Sequence, residues 1–436
     1  MGMWPILLAA GWANVYYAVS VGRLNFSALP TPGCSLRGNE PCVRWTIGAT
    51  SWLQGASAPP ENGMQEAGQV TQDFRNYRKR CVAVKEAPKV AIIVLNWNGW
   101  RDTIECLESL QQLPYPRARV IVVDNGSTDD SLRHIKAWAE GEEPIESRYI
   151  TYRKDAKPVP LILYSRTEAE TGGTDKGETV LPDSWSVDAL VVIDAGENLG
   201  FAGGCNVGIR YALRRGAEYF WLLNNDTVAY PNALAEMVAL AQSDTYIGLV
   251  GSVMHDYRDP ETVAFAGGLV NWWLGTSKAL TRPGGRSLDF IGGASMLIRR
   301  AVAESVGLLE ERYFFYWEDI SYSQRVLAAD WKIAQAEGSH VLHKEGGTIS
   351  AGEQRKSLAS DLFAARSMVL FFSSHGGIRW PLAVFLRTGG MVINRLRRRQ
   401  FDRILPLLRA VVTTCWEVTV MKSGRRTRHF LSNLRL

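Results

Sequence analysis

Residues 90–138 read VAIIVLNWNGWRDTIECLESLQQLPYPRARVIVVDNGSTDDSLRHIKAW, and the patterning of this stretch decides the fold class. Val90–Leu95 is a continuous, largely β-branched run, as a strand covered on both faces of a parallel sheet requires. It runs out in the turn Asn96-Trp97-Asn98-Gly99. A helix follows, with Asp102 or Thr103 as its expected cap and Ile104, Leu107, Leu110 and Leu113 along one side. Val120–Val123 reads as a second strand ending at Asp124. Ser127 with Asp130 has the pattern of a capping box, and Leu132, Ile135 and Trp138 line the next helix. Strand, helix, strand, helix predicts a βαβ unit inside an α/β domain.

Downstream, Leu190–Ile193 resumes the sheet and ends at Asp194. A glycine-rich turn over Asn198–Gly208 is expected to lead into a helix near Asn206–Arg215. Phe220–Leu223 is the next strand, and Pro231 suits the first position of a helix over Pro231–Ala241. Between these units, residues 141–187 are polar, hold one candidate strand at Val159–Tyr164, and read as a surface insertion. Beyond about residue 245 the alternation gives way to Gly-rich and Trp-rich segments, as on the second wall of a cleft. Upstream, residues 1–86 read as an irregular or disordered extension, with a membrane anchor as the other reading. Met1–Gly22 is uncharged, yet it lacks the positive flank of a secretory signal and is broken by Pro5, Gly11 and Asn14. The expected division is therefore 1–86, an α/β domain over 87–350, and a helical, basic extension over 351–436.

The chain has 436 residues, of which 46% are hydrophobic and 21% charged, which excludes a wholly disordered, collagen-like or disulfide-scaffold protein. Its six cysteines show no CxxC pair and no zinc-ligand spacing, so a reducing compartment is the simpler expectation. The net charge of +5 hides an asymmetry: from Arg366 to Leu436 there are 14 Lys and Arg against two acids, while the remainder is mildly acidic. Such a tail points to an anionic surface. Leu362–Phe372 and Trp380–Leu396 interleave bulky apolar residues with Arg, and no uncharged run reaches the ~18 residues that spanning needs. Helices lying in a membrane interface fit this wording, with a solvated basic subdomain as the other reading.

Asn96, Asp124 and the Asn224-Asn225-Asp226 triplet stand at the carboxyl ends of three strands, where open α/β sheets bind ligands. Asn and Asp also simply start turns. The Asn198–Gly208 segment fails the GxGxxG spacing and lacks the Lys-Ser/Thr of a P-loop, but it lets backbone approach a ligand at a helix start. In Tyr313–Asp319 five aromatics end in two adjacent carboxylates. Acids are costly to bury, and one beside an apolar wall can have its pKa raised and act as a general base. A helix start at Asp319-Ile320-Ser321 is the plainer alternative. His343, after a likely strand, is either a ligand or a turn residue.

Taken in order, VAIIVLNWNG (90–99), VIVVDNGSTDDS (120–131), ENLGFAGGCNVGI (197–209), WLLNNDTV (221–228), GGASMLIRR (292–300), FFYWEDISYSQR (314–325) and DWKI (330–333) resemble family 2 inverting glycosyltransferases of the GT-A fold, close to their rhamnosyltransferase-like branch. The resemblance implies a Rossmann-like, mostly parallel sheet flanked by helices. It implies that Asn96 and Asp124 line the base and ribose pocket of a nucleotide diphosphate-sugar. Asn198, Gly200 and Gly203 would close over the nucleotide, with Asn224 and Asn225 beside the donor. Asp226 would hold a divalent cation, Mg²⁺ or Mn²⁺, with His343 as a second ligand. Asp319 would be the catalytic base, next to Glu318. Asn-Asn-Asp carries one carboxylate where many relatives have a two-acid DxD, and the 141–187 insertion has no counterpart in the minimal core. The implied reaction moves a rhamnose-like sugar to a lipid-linked or surface saccharide, by a cytoplasmic enzyme peripheral on the inner face of the cell membrane, with no nucleic-acid partner. A galactofuranose or N-acetylglucosamine donor remains open. So does a non-catalytic nucleotide-sugar-binding scaffold, against which intact Asp226 and Asp319 count.

Overall fold

Side chains alternate along a strand, and Val90, Ile92 and Val94 enter one apolar layer while Ala91 and Ile93 enter another. The computed structural model describes residues 87–174, 185–284, 287–344 and 357–422; the predicted 1–86 extension lies outside them. Strand β1 (Val90–Asn96) is followed by α1 (Trp100–Leu110), β2 (Ala118–Asp124) and α2 (Ser131–Glu140). Then come β3 (Leu161–Ser165), α3 (Arg166–Thr171), β4 (Leu190–Asp194), α4 (Gly200–Arg214), β5 (Tyr219–Asn224) and β6 (Thr227–Ala229). The second half holds α5 (Ala233–Ser243), β7 (Ile247–Asp256), β8 (Val263–Phe265), the β9–β10 hairpin (Gly268–Asn271 and Thr276–Ala279), β11 (Ser295–Arg299) and α6 (Arg300–Ser305). It continues with α7 (Glu318–Ala328), β12 (Lys332–His343), and the helices α8 (Leu358–His375), α9 (Trp380–Arg397) and α10 (Ile404–Lys422).

The large sheet runs β3-β4-β2-β1-β5-β11-β7-β12-β6, with β8 on β7. Pairing is parallel from β3 through β5 and again between β7 and β12; β11 is antiparallel to both of its neighbours. The expected α/β class with a mostly parallel sheet between helices is therefore the fold observed. One apolar layer holds the inner sides of α1, α2 and α5, the other those of α4, α6 and α7.

Several local expectations differ. Helix α1 starts at Trp100 behind Gly99 with no side-chain cap, because the Thr103 hydroxyl is turned to Asn96 and the Gly99 carbonyl. Ser127 caps nothing; it bonds Asp124, and α2 starts behind Asp130 without a cap bond. The segment read as a glycine-rich turn is already helix from Gly200, six residues early. Its glycines let α4 lie against β1: a Cβ on Gly204 would meet Leu95 Cδ1 at 2.3 Å, and one on Gly208 would meet Ile93 Cγ2 at 2.7 Å. Helix α5 begins at Ala233 rather than Pro231. Within the 141–187 insertion, β3 extends the sheet as a parallel edge strand on β4, so this segment is part of the sheet as well as of the surface. It is anchored at buried Glu108, which accepts from Arg153 N (2.8 Å), Trp138 Nε1 (2.9 Å) and Lys157 Nζ (3.2 Å).

The three C-terminal helices do not stand apart. Phe371, Phe372 and Met368 of α8 and Leu407, Val411 and Val418 of α10 form one core with Tyr313, Ile320, Phe290 and Val270. Asp361 of α8 ties the other two helical segments down, pairing with Arg395 at 2.5 Å and Arg403 at 3.1 Å.

Candidate functional site

Parallel register puts the polar strand ends side by side: Asn96 is opposite Asp124, and Leu95 is opposite Asn224. Both Asn96 and Asp124 are buried. Asn96 Nδ2 donates to Asp124 Oδ1 (2.7 Å) and to Ser127 Oγ (3.1 Å), and Ser127 Oγ donates to Asp124 Oδ1 (2.6 Å). On the other side of Asn96, Thr103 Oγ1 donates to its Oδ1 (2.7 Å) and accepts from Asn225 Nδ2 (3.0 Å). Five polar side chains from two strand ends, two loops and α1 thus form one bonded group. Fully satisfied buried networks hold a single geometry.

The start of α4 is fixed to this group through Asn125. Its Nδ2 donates to Asn198 Oδ1 (3.0 Å) and its Oδ1 accepts from Leu199 N (3.0 Å), while Asn198 Oδ1 also accepts from Gly200 N (2.9 Å). Gly200 has φ +72°, and a Cβ there would lie 2.4 Å from the Phe314 carbonyl. Phe201 N donates to that same carbonyl at 2.9 Å. The helix start is therefore clamped to the segment that leads into the acid pair. Gly203 lies inside α4, where a Cβ would meet Leu199 at 2.8 Å.

Because β11 runs antiparallel to β5, its first residue, Ser295, pairs with Leu223, and the preceding Gly292–Ala294 lies at the same sheet edge. Ala294 O accepts from Asn224 N (3.0 Å), and Gly293 N donates to Asp319 Oδ2 (3.0 Å). Asp319 Oδ1 accepts from Ile320 N at 2.7 Å. Glu318 is buried, and its Oε2 has no hydrogen-bond partner among the described residues. Burial pushes both carboxyls above the usual carboxylate range, and for Glu318 the neighbouring Asp319 charge adds to the rise. For Asp319, which stays partly open to solvent, the N–H groups of Gly293 and Ile320 oppose burial, and the direction is still upward. Tyr316 and Trp317 immediately before the pair have φ of +70° and +69°. Left-handed backbone at consecutive aromatics is a strained arrangement that its surroundings must impose. Here Trp317 is held against Phe371 and Phe372 of α8, ring centroids 4.8 and 5.3 Å away.

The third corner comes from β12, whose last residue, His343, pairs with Thr227. His343 Nε2 is 3.2 Å from Asp226 Oδ1, and Asn224 Nδ2 is 3.5 Å from the same ring nitrogen. Lys344 N donates to the Asp226 carbonyl at 3.0 Å, and its ammonium lies 2.6 Å from Asp102 Oδ1 and 2.5 Å from Glu105 Oε2. Burial pulls the Lys344 pKa down, but the bonds to Asp102 and Glu105 outweigh it and the net direction is up. Beneath the corner, burial pushes the Cys106 thiol up to about 12, leaving it a neutral packing group.

No cluster of three or more His, Cys, Asp or Glu with metal-ligand geometry occurs among the described residues. Asp226 and His343 do fit two positions of a cation site. Neighbouring ligands of an octahedral ion at about 2.1 Å are about 3 Å apart, close to the 3.2 Å between Oδ1 and Nε2. Mg²⁺ and related ions are commonly held by one or two protein ligands, with substrate phosphates and water completing the shell.

The structure thus gathers the sequence-predicted Asn96, Asp124, Asn198, Gly200, Asn224, Asn225, Asp226, Glu318, Asp319 and His343 at one end of the sheet. Sequence reading missed Thr103, Asn125, Ser127, Gly293 and Lys344. GGAS at 292–295 was the visible trace of Gly293; the others gave no signal beyond ordinary turn chemistry.

Residues 91–156 and 186–307 match the family described as Glycosyl transferase family 2, and the unmatched gap falls within the 141–187 insertion. Over 261 residues, 56% of this chain, it is 27% identical to the low-salt glycan biosynthesis hexosyltransferase Agl10 of Haloferax volcanii, covering 83% of that protein. Over 136 residues, 29% of this chain, it is 29% identical to N-acetylglucosaminyl-diphospho-decaprenol L-rhamnosyltransferase of Mycobacterium tuberculosis, and spans 43% of that protein's length. Among solved structures, the mannosyltransferase PcManGT of Pyrobaculum calidifontis, in complex with GDP-Man and Mn²⁺, is 16% identical. That similarity covers 81% of this chain and 97% of the other, with a TM-score of 0.44.

Proposed function

We propose, for a chain that carries a Glycosyl transferase family 2 domain, that it moves a hexose, rhamnose-like in character, from a nucleotide diphosphate-sugar to a saccharide acceptor with inversion at the anomeric carbon. A lipid-linked acceptor is favoured, as the name of the rhamnosyltransferase relative suggests for that protein. The observation that carries the reading is the Gly293-Ala294 link. It ties Asp319 to the strand end bearing Asn224, Asn225 and Asp226, so a proton acceptor and a diphosphate-binding corner share one sheet edge.

In this reading Asn96 and Asp124 receive the base and ribose, and Asn198 with Gly200 and Gly203 shapes the wall beside the nucleotide. Asp226 and His343 would hold Mg²⁺ or Mn²⁺, which supplies Lewis-acid neutralisation of diphosphate charge. Asp319, made more basic by its burial, accepts the proton of the acceptor hydroxyl. That oxygen bonds to the anomeric carbon from the face opposite the diphosphate. The carbon–oxygen bond on the other face breaks, and its electron pair leaves on the phosphate oxygen. Burial favours the protonated form of Glu318, which would keep a second negative charge away from the base.

The test is a panel of nucleotide sugars measured by thermal shift with and without Mn²⁺, followed by transfer and NMR assignment of the product anomer. A donor that stabilises the protein, and an inverted product, are expected. No response to any nucleotide sugar, or a retained anomer, would overturn the reading.

A further inference from the structure

Helices α9 and α10 each bury one face in the third core, through Ala383 and Val384 and through Leu407, Val411 and Val418. Each also carries a second apolar stripe in solvent. On α9, Leu382, Leu386, Ile393 and Leu396 recur at helical spacing, with Phe385 beside them 73% exposed. On α10, Leu405, Leu408, Val412 and Trp416 do the same, Leu405 and Trp416 being 75% and 72% exposed. Single exposed apolar residues are ordinary; two such stripes on neighbouring helices mark an interaction surface.

The β9–β10 hairpin adds to it. Asn271 Oδ1 accepts from Trp273 N (3.1 Å) and Leu274 N (2.9 Å), shaping a tip whose Gly275 lies against α9. Gly275 has φ +66°, and a Cβ there would be 2.6 Å from the Ala383 carbonyl. The clamped tip leaves Trp273 56% and Leu274 40% exposed, and the Arg379 guanidinium sits 4.8 Å over the Trp273 ring.

The charge around these side chains is predominantly positive. From Gly376 to Val420 there are eight Arg and two acids. Arg395 and Arg403 are engaged by Asp361, whereas Arg397, Arg398, Arg399 and Arg409 are exposed. Apolar stripes edged by arginine, with Trp at the margin, are the composition that lies in an anionic headgroup layer. Among the described residues no helix is long and apolar enough to cross a membrane.

We infer that the hairpin tip and the outer faces of α9 and α10 are one docking surface for an anionic lipid bilayer, with Trp273 and Leu274 entering the headgroup–acyl boundary. Trp272, the residue before Trp273, packs on Phe371 at 5.6 Å, and Phe371 packs on Trp317, which precedes Glu318 and Asp319. One aromatic layer therefore separates the lipid-facing tip from the acid pair, and a lipid-carried acceptor would arrive beside the base. That consequence rests on the transfer reading; the docking does not.

The test sediments the full chain with vesicles of phosphatidylcholine plus phosphatidylglycerol, and with phosphatidylcholine alone. The unaltered protein binds the anionic vesicles and is partly released by salt. Trp273→Ser with Leu274→Ser, and separately Phe385→Ser with Ile393→Ser, each lower partition by about tenfold or more, while melting and donor hydrolysis stay unchanged. Pairs that sediment as the unaltered protein does overturn the proposal. So does an unaltered protein that ignores anionic vesicles, or light scattering that finds a dimer which the same pairs dissolve. Absent transfer from every nucleotide sugar in the panel, with intact vesicle binding, refutes transfer and leaves docking standing.

Discussion

The backbone N–H of Gly293 donates to Oδ2 of Asp319 at 3.0 Å, and the carbonyl of the following residue accepts the N–H of Asn224. The Gly293-Ala294 step thus links the carboxylate on α7 to the polar end of β5. With Ile320 N on its other oxygen, Asp319 is oriented before any substrate arrives.

Asp319→Asn removes the proposed proton acceptor from that position. Turnover is expected to fall by about 10²–10⁴, with donor binding retained, because the lost function acts only as the acceptor oxygen attacks. Paired measurements of kcat and of donor-induced thermal shift decide it; full activity in a folded variant refutes the base assignment.

The raised Glu318 pKa makes a prediction about stability with a definite sign. Below the ordinary carboxylate range the folded and unfolded chains both hold this proton. Above it only the folded chain does, so stability declines as pH rises through the raised folded value, by at most about 1.4 kcal/mol per pH unit. Glu318→Gln abolishes that decline and melts higher than the unaltered protein at neutral and alkaline pH. Melting curves taken across a pH series should diverge; parallel curves would show that Glu318 ionises as freely folded as unfolded.

Asp226→Ala and His343→Ala are each expected to raise the Mn²⁺ concentration needed for donor binding by about tenfold or more, with Asp226→Ala the larger, since it removes the proposed anionic ligand. Titrating Mn²⁺ at fixed donor measures this. A donor affinity indifferent to metal in the unaltered protein would remove the cation from this corner.

Thr103→Val deletes the hydroxyl that joins Asn96 to Asn225. It leaves buried amide groups short of a partner, which costs about 1–3 kcal/mol. A weaker donor affinity at unchanged acceptor KM is expected, and Thr103→Ser restores it. If valine and serine behave alike, the hydroxyl does not hold the pocket.

The α/β class was legible at Val90–Val94 and Val120–Val123 because a buried parallel strand can use almost nothing but branched apolar residues. The start of α4 was not, because Gly200–Gly208 looks like a turn until Ile93 and Leu95 are known to lie beneath it. Glu318 and Asp319 stood out as acids after five aromatics. Their supports did not: Gly293 acts across 26 residues, and Thr103 meets Asn225 across 122. A hydroxyl or a backbone N–H carries no mark of so distant a partner. The apolar, arginine-rich wording of the C-terminal helices was also readable, but not that the β9–β10 hairpin continues their outer surface.

Leu407, Val411 and Val418 of α10 share a core with Tyr313 and Ile320, which flank the acid pair in sequence. The sheet domain and the C-terminal helices are for this reason packed as one unit. An expressed fragment that stops near residue 350 would strip the α8 and α10 side of the core from Tyr313 and Ile320, and would lose the two phenylalanines that pack on Trp317. A chimera carrying another protein's anchor would have to reproduce the inner faces of α8 and α10 before its outer faces mattered. A shortened form that keeps this core whole must therefore extend through Val418.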